Sequence, residues 1–397
     1  MRQSGSLTTR TTERSAPALP RPDDMRNDIA TVAELARFDA LLDVRSPAEF
    51  ALDCIPGAIN VPVLDDAERT RVGTMYVQES PFLARKVGAA LVARNIARHI
   101  EERFADFDRS WKPLVYCWRG GMRSGSMMTI LRAIGWDARQ LDGGYRSFRR
   151  HVVAELETLP VPLTFRVVCG PTGSGKTRLL GALTANGAQT LDLEAIATHR
   201  GSLLGGLPDR PQPAQKAFET SLWDALHRLD PARPVYVEAE SRKIGDLRVP
   251  ETLMLRMRAS ECLRVEVPDA ARVGLLIDEY AHFFDDRAAL IDKLGALTAL
   301  HGRARIEGWV KDIEAGRWEA LVAALLETHY DPAYAKSAAS NFPGFAAATN
   351  VALQDLTPTT FFSAATALMS NERMPVRSAV VTAPDKAPAP MLGTTPA

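Results

Sequence analysis

Pro113-Leu114-Val115-Tyr116-Cys117-Trp118-Arg119-Gly120-Gly121-Met122-Arg123-Ser124 decides how the first half of this chain folds. Pro113 to Tyr116 reads as a short buried strand, and Ser124 to Ile134 as a helix stopped by Gly135, so the loop between them sits at a helix N-terminus. Backbone N–H groups converge there, and the helix dipole favours negative charge. Arg119 and Arg123 add fixed positive charge, so Cys117 is expected to ionise more readily than a free thiol, whose pKa is about 8.5. A lone cysteine is more often a small buried hydrophobe. Two arginines and two glycines directly after this one favour a reactive thiolate beside an anion, held in a loop completed by Gly120, Gly121 and Ser124.

Further along, Gly170-Pro171-Thr172-Gly173-Ser174-Gly175-Lys176-Thr177 fits the phosphate-binding P-loop pattern at every defined position. Leu163 to Cys169 reads as the strand before it, and Arg178 to Thr184 as the start of the helix after it. The amides of Gly170, Gly173, Ser174 and Gly175 would wrap a diphosphate, Lys176 would neutralise its outer oxygens, and Thr177 would hold Mg²⁺. The loop reads a diphosphate and not the group attached to it. Val235-Tyr236-Val237-Glu238 is another β-rich run, ending in Glu238 and Glu240, where a P-loop protein places a metal partner or general base. Asp192 and Glu194 follow a short strand around Thr190 and Leu191. One of these two carboxylate pairs is expected to reach the metal.

Two such modules suit a chain of 397 residues, and 46% hydrophobic residues is ordinary for a soluble protein. No apolar run is long enough to cross a membrane. The four cysteines, Cys54, Cys117, Cys169 and Cys262, have no paired spacing, which argues against a structural metal site or a disulfide framework and for the cytoplasm. Cys169 and Cys262 read as core residues. Residues 1–28 and 372–397, rich in Ser, Thr, Pro and Ala, are expected to be a disordered arm and tail, with folded domains over 29–156 and 157–371 meeting near Leu159-Pro160-Val161-Pro162. Formal net charge is zero, so any nucleic-acid contact must come from local patches. Tyr145, Arg146, Arg149 and Arg150, on a helix expected to begin near Ser147, could present a stacking ring and cations beside the Cys117 loop. His199, Arg200, Arg242 and Lys243 add cations near the P-loop. For each cluster a solvated charged face is the competing reading.

Leu41-Leu42-Asp43-Val44-Arg45-Ser46-Pro47-Ala48-Glu49-Phe50 with Ile55-Pro56-Gly57-Ala58-Ile59-Asn60 resembles the opening motifs of rhodanese domains. The five residues between Cys117 and Arg123 also suit a cysteine phosphatase, but that family carries His before the nucleophile, where Tyr116 stands. Cys54 replaces a His common in rhodaneses; it reads as structural, with a resolving thiol for Cys117 as the alternative. Taken in order, Cys117 to Ser124, Gly143-Gly144-Tyr145-Arg146, the P-loop, Asp192-Leu193-Glu194, His199 to Ser202, Gln212-Pro213, Glu240-Ser241-Arg242 and Tyr330-Asp331-Pro332 resemble the tRNA 2-selenouridine synthases.

That resemblance implies an α/β chain: a rhodanese-like domain, then a P-loop NTPase-like doubly wound domain, to which the helical patterns from Arg272 to Thr328 add a helical lobe. It also implies a tRNA partner with wobble 2-thiouridine, geranyl diphosphate as alkyl donor, and selenophosphate as selenium donor, with selenophosphate synthetase as a candidate supplier. Cys117 would carry the selenium, and the lobe would help hold the anticodon arm. No tightly bound cofactor is indicated; Mg²⁺ would accompany the diphosphate. The alternatives are a rhodanese-type sulfurtransferase with a regulatory nucleotide-binding domain, or a cysteine phosphatase. Ala239 stands where that family often has another acidic residue, which leaves the number of metal carboxylates open.

Overall fold

The computed structural model describes residues 28–202 and 204–371. The expected tail and all of the expected arm but Asp28 lie outside the described residues. Asp28 belongs to the fold: its carbonyl accepts from Gln140 N at 2.8 Å and its carboxylate meets Arg132 at 2.8 Å.

Five strands, β1 (Ile29–Ala30), β2 (Ala40–Asp43), β3 (Ile59–Asn60), β4 (Pro113–Tyr116) and β5 (Arg139–Leu141), form a parallel sheet in the order β1-β5-β4-β2-β3. Strand β4 is central and all four of its residues are buried, which is why the sequence there is an unbroken apolar run. Cys117 therefore leaves the C-terminal end of the middle strand. The helix that follows starts at Met122, before the expected Ser124, because Gly121 serves as its N-cap. Between β3 and β4 the chain inserts a helical hairpin, Asp66–Gln78 and Pro81–Arg103. A reciprocal capping box marks its start, with Glu68 N donating to Asp65 Oδ1 (2.7 Å) and Asp65 N to Glu68 Oε2 (3.0 Å).

The second sheet is built from β6 (Phe165–Cys169), β7 (Gln189–Leu191), β8 (Val235–Glu238), β11 (Glu261–Glu266) and β12 (Thr349–Ala352), in the parallel order β12-β11-β6-β8-β7. A small antiparallel pair, β9 (Lys243–Ile244) and β10 (Leu247–Arg248), stands apart. Strand β6, which feeds the P-loop, is central, and its register sets Val168 opposite Glu238. The helix after the loop begins at Lys176 itself, ahead of the expected Arg178. The helical lobe is longer than Arg272 to Thr328: its helices run from Asp269 to Asn341. The chain then returns as the edge strand β12, and the helix Pro358–Asn371 packs against Lys176–Ala185.

The two sheets share one core. The helix Gly144–Leu156 lies on Gln215–His227, and a single apolar cluster includes Tyr116, Phe148 and Val152 from one side and Phe165, Val167 and Phe218 from the other. Trp223 meets Phe148 edge-on, with centroids 5.4 Å apart.

Candidate functional site

Cys117 is 3% exposed, and its Sγ accepts from Ser124 Oγ at 3.1 Å and Gly121 N at 3.3 Å. Burial pushes the thiol pKa up; the Ser124 hydroxyl and the backbone N–H groups of Ser124, Gly121 and Arg119 outweigh it and bring the thiol below its usual value. Gln140 Nε2 donates to Ser124 Oγ (2.6 Å) and Gly121 O (3.0 Å), and the Ser124 hydroxyl faces two acceptors, Sγ at 3.1 Å and Gly121 O at 3.3 Å. The expected lowering is thus present, but dipoles carry it. Arg123 is turned to Glu49 (2.8 Å), which also holds Arg69 at 2.8 Å, and Arg119 is an exposed side chain whose amide does the work.

The loop is clamped from behind. Tyr145 N donates to Cys117 O (2.8 Å) and Arg146 N to Trp118 O (3.1 Å), so the first free amides of the Gly144–Leu156 helix are satisfied by the thiol loop. Gly144, at φ 59°, makes this approach possible: a Cβ there would collide with Cys117 O and Gly120 N. The helix starts at Gly144 and not at Ser147 for the same reason.

Tyr145 is not an accessible stacking ring. It is 2% exposed, its hydroxyl donates to Asp53 Oδ2 at 2.6 Å, and its ring lies 4.1 Å beneath the Arg45 guanidinium, itself paired with buried Asp43 at 2.6 Å. Trp118, stacked on Tyr145 at 5.3 Å, is the partly open ring. With Arg119, Arg146, Arg150 and Lys216 it borders a groove of about 400 Å³. Lys216 comes from the second domain, its Nζ 5.8 Å from the Trp118 centroid. Arg149 also borders the groove but is ion-paired with Glu219 and donates to Thr220 Oγ1 at 3.3 Å.

Cys54 is half-buried, and burial with the Asp53 and Asp43 carboxylates raises its pKa, so it stays a thiol at neutral pH. Cys169 and Cys262 are buried, as read from the sequence, and lie on adjacent strands.

At the other centre, Gly170, Gly173, Gly175, Lys176 and Thr177 line a cleft of about 360 Å³. Lys176 Nζ reaches Gly170 O at 3.0 Å, and the buried Ser174 hydroxyl has no partner among the described residues. Glu194, Glu238 and Glu240 bring carboxylate oxygens within 4.8 Å of one another. Burial, then mutual repulsion, raises the pKa of each. Glu238 is fully buried, with both oxygens unpartnered among the described residues. An all-oxygen cluster with an orphaned buried carboxylate suits a hard divalent cation such as Mg²⁺. Thr177 Oγ1 donates to Glu194 Oε2 at 3.3 Å, which joins the P-loop to the cluster.

The cluster draws on both sequence pairs. Asp192 stands outside it, accepting from Ala195 N at 2.8 Å as a helix cap. Of the four cations expected near the P-loop, Arg200 borders the cleft and donates to Glu279 O at 2.7 Å. His199 Nδ1 accepts from Gly201 N at 3.1 Å, while Arg242 and Lys243 form exposed pairs with Glu251 and Asp246.

Two family models match the chain: a rhodanese-like domain over residues 23–151 and the tRNA 2-selenouridine synthase AAA domain over residues 163–301. The tRNA 2-selenouridine synthase of Bdellovibrio bacteriovorus is 32% identical over 342 residues, covering 74% of this chain and 87% of that one. The chain belongs to the tRNA 2-selenouridine synthase family. The synthase of Alcanivorax borkumensis is 35% identical over 281 residues (67% of this chain, 75% of the relative). That of Nitrosomonas europaea is 38% identical over 244 residues, 60% of this chain and 63% of the relative, so that alignment spans less than two thirds of its length.

Several residues quoted for the family resemblance have structural work here. Gln212 Nε2 donates to Ala197 O (3.2 Å) and Ile244 O (3.1 Å), and Asp331 pairs with Arg272. The sequence reading missed Asp53, Arg272 and Lys216. Asp53 Oδ2 accepts from Tyr145 and, at 3.0 Å, from Thr220 Oγ1, so one carboxylate ties the thiol-loop clamp to the second domain. A charged residue before Cys54 gives no local sign of that role.

Proposed function

We propose that this protein converts the wobble 2-thiouridine of tRNA to 2-selenouridine, first by S-geranylation with geranyl diphosphate and then by selenium transfer from selenophosphate. One observation carries the reading: a thiol loop with an activated cysteine and a P-loop with a buried carboxylate cluster stand on one continuous core. A sulfurtransferase or a phosphatase would give only the first centre a catalytic role.

In the first step the thiocarbonyl sulfur displaces diphosphate from C1 of the geranyl group. The C–O electron pair leaves with the diphosphate, and the base loses its N3 proton. The P-loop amides and Lys176 would receive the departing charge. Glu194, Glu238, Glu240 and Thr177 would hold Mg²⁺, which when bound adds positive charge beside the leaving group. In the second step the Cys117 thiolate adds at C2 and geranylthiolate leaves with the C–S electron pair; selenium of selenophosphate then displaces Cys117 from C2, and water cleaves the Se–P bond to release phosphate and 2-selenouridine. Ser124 and the loop amides favour the ionised form of the Cys117 thiol. Trp118 offers a stacking face, and Arg119, Arg146, Arg150 and Lys216 offer phosphate contacts, the combination suited to an unstacked base in a single-stranded loop.

Among the described residues no helix is long and apolar enough to cross a membrane. The reaction would take place in the cytoplasm with its tRNA, supplied with selenophosphate by selenophosphate synthetase. The test is mass spectrometry of nucleosides from 2-thiouridine tRNA incubated with the purified protein, Mg²⁺ and geranyl diphosphate, and then with selenophosphate. The expected products are the geranylthio nucleoside and then 2-selenouridine. Unaltered 2-thiouridine after both additions overturns the reading.

A further inference from the structure

The P-loop cleft has an apolar continuation. Gly173, at φ 79°, rests directly on the helix Asp269–Glu279: a Cβ there would meet Leu276 Cδ1 at 2.9 Å and Arg272 O at 3.2 Å. Arg272, 4% exposed, locks that contact, with Nε donating to Thr172 O at 3.0 Å and Nη1 to Asp331 Oδ2 at 3.1 Å. Beyond Leu276 a slot opens into the helical lobe. Thr172, Leu276, Tyr280 and Tyr330 border both the polar cleft and this slot.

The remaining wall of the slot is apolar, supplied among others by Phe283, Leu290, Trp318 and Leu325, with the Trp318 indole N–H its one side-chain hydrogen-bonding group among the described residues. A purine and a ribose need several hydrogen-bonding groups, and such a wall offers one side-chain donor and no side-chain acceptor. An unfunctionalised chain attached to a diphosphate needs none. Tyr330 closes a π-helical turn, Leu326–Tyr330, at the junction, a local backbone form frequent at functional sites. Phe284 and Trp318 stack with centroids 4.4 Å apart and border the slot but not the cleft, so they belong to the part of its wall away from the P-loop. About 50 Å³ is open in this conformation, less than a ten-carbon chain needs, so admitting the chain moves side chains such as Leu276 and Phe283 aside.

We infer that this slot receives the hydrocarbon chain of an isoprenyl diphosphate whose diphosphate sits on the P-loop, and that the Phe284–Trp318 pair limits the chain length. The inference rests on the reading of the P-loop as a prenyl diphosphate site. It adds the place where the chain lies and the residues that measure it. Each methylene removed from water is worth roughly fourfold in affinity, so the slot and not the loop would set selectivity.

The test is calorimetric titration of the full chain, in Mg²⁺, with inorganic pyrophosphate, geranyl diphosphate, farnesyl diphosphate and ATP. Geranyl diphosphate should bind at least about tenfold more tightly than pyrophosphate. Leu325→Trp, which fills the slot, should weaken geranyl diphosphate by about tenfold or more and change pyrophosphate by less than about twofold. Trp318→Ala, which removes bulk, should raise farnesyl over geranyl affinity by at least about fivefold, and it keeps the test open if Leu325→Trp does not fold. Equal binding of pyrophosphate and geranyl diphosphate, or an unchanged chain-length dependence in Trp318→Ala, overturns the slot while the P-loop reading stands. ATP binding with no response to geranyl diphosphate overturns the prenyl diphosphate reading itself.

Discussion

Ser124→Ala tests whether dipoles or arginine charges ionise Cys117. The hydroxyl lies 3.1 Å from Sγ, so its loss removes a hydrogen bond to a charged acceptor without changing any formal charge. Such bonds are worth about 1.5–3 kcal/mol, and one pKa unit corresponds to about 1.4 kcal/mol. The thiol pKa should therefore rise by about one to two units. The lowered folded-state pKa raises the share of thiolate at pH values below an ordinary thiol's titration range; raising the pKa reduces that share. A more basic thiolate is also a better nucleophile, with a Brønsted coefficient of about 0.4–0.5, so an alkylation rate at one pH understates the change. The assay is the pH midpoint of iodoacetamide alkylation at Cys117, followed by peptide mass spectrometry, with the urea midpoint as a check on folding. Arg123→Gln is the companion variant. Because Glu49 already engages Arg123, its effect on the midpoint should be smaller than that of Ser124→Ala. An unchanged midpoint in Ser124→Ala, or a larger shift in Arg123→Gln, refutes the assignment.

Asp53→Ala strands two buried hydroxyls, Tyr145 and Thr220, and should cost about 2–4 kcal/mol by urea denaturation; a loss under about 1 kcal/mol would remove Asp53 as the tie between the domains. Lys176→Ala should cut geranylation by orders of magnitude yet spare selenation of pre-geranylated tRNA, while Cys117→Ala should accumulate geranylated tRNA. Normal geranylation by Lys176→Ala would take the diphosphate away from the P-loop. Glu240→Gln should abolish the Mg²⁺-induced rise in melting temperature, which for the parent protein at a hundredfold excess over Kd corresponds to about 2.7 kcal/mol. An undiminished rise in that variant would place the cation elsewhere.

The loops were legible because their chemistry is local. A P-loop needs its glycines, Lys176 and Thr177 within eight consecutive residues, and a thiol loop needs amides from the residues just after the cysteine. Fold class followed from the apolar strands before each loop, since β4 and β6 are central in their sheets and must be apolar on both faces. The edge strand β12 went unread because only Val351 of its four residues is buried, so its pattern lacks a core signal. The extra length of the lobe went unread for a different reason: Asp331, in the stretch beyond Thr328, is held by Arg272, a partner that lies far away in sequence. Tyr145 was misjudged in the same way. An aromatic beside three arginines suggests a nucleic-acid face until Asp53 and Arg45 arrive from the other side.

The zero net charge shows the same distinction between counting and placement. Of the basic residues read as candidates for RNA, Arg149, Arg242 and Lys243 have carboxylate partners, and their fields are locally cancelled. Arg119, Arg146, Arg150 and Lys216 border the groove next to Trp118 without a carboxylate partner among the described residues. A local potential depends on which cations remain uncompensated, not on the balance of 48 basic and 48 acidic residues. The positive face of this protein is therefore a product of folding: α/β packing brings Lys216 from the second domain across to the arginines of the first. The groove has its full charge only when the Asp53 tie and the shared core hold both domains together.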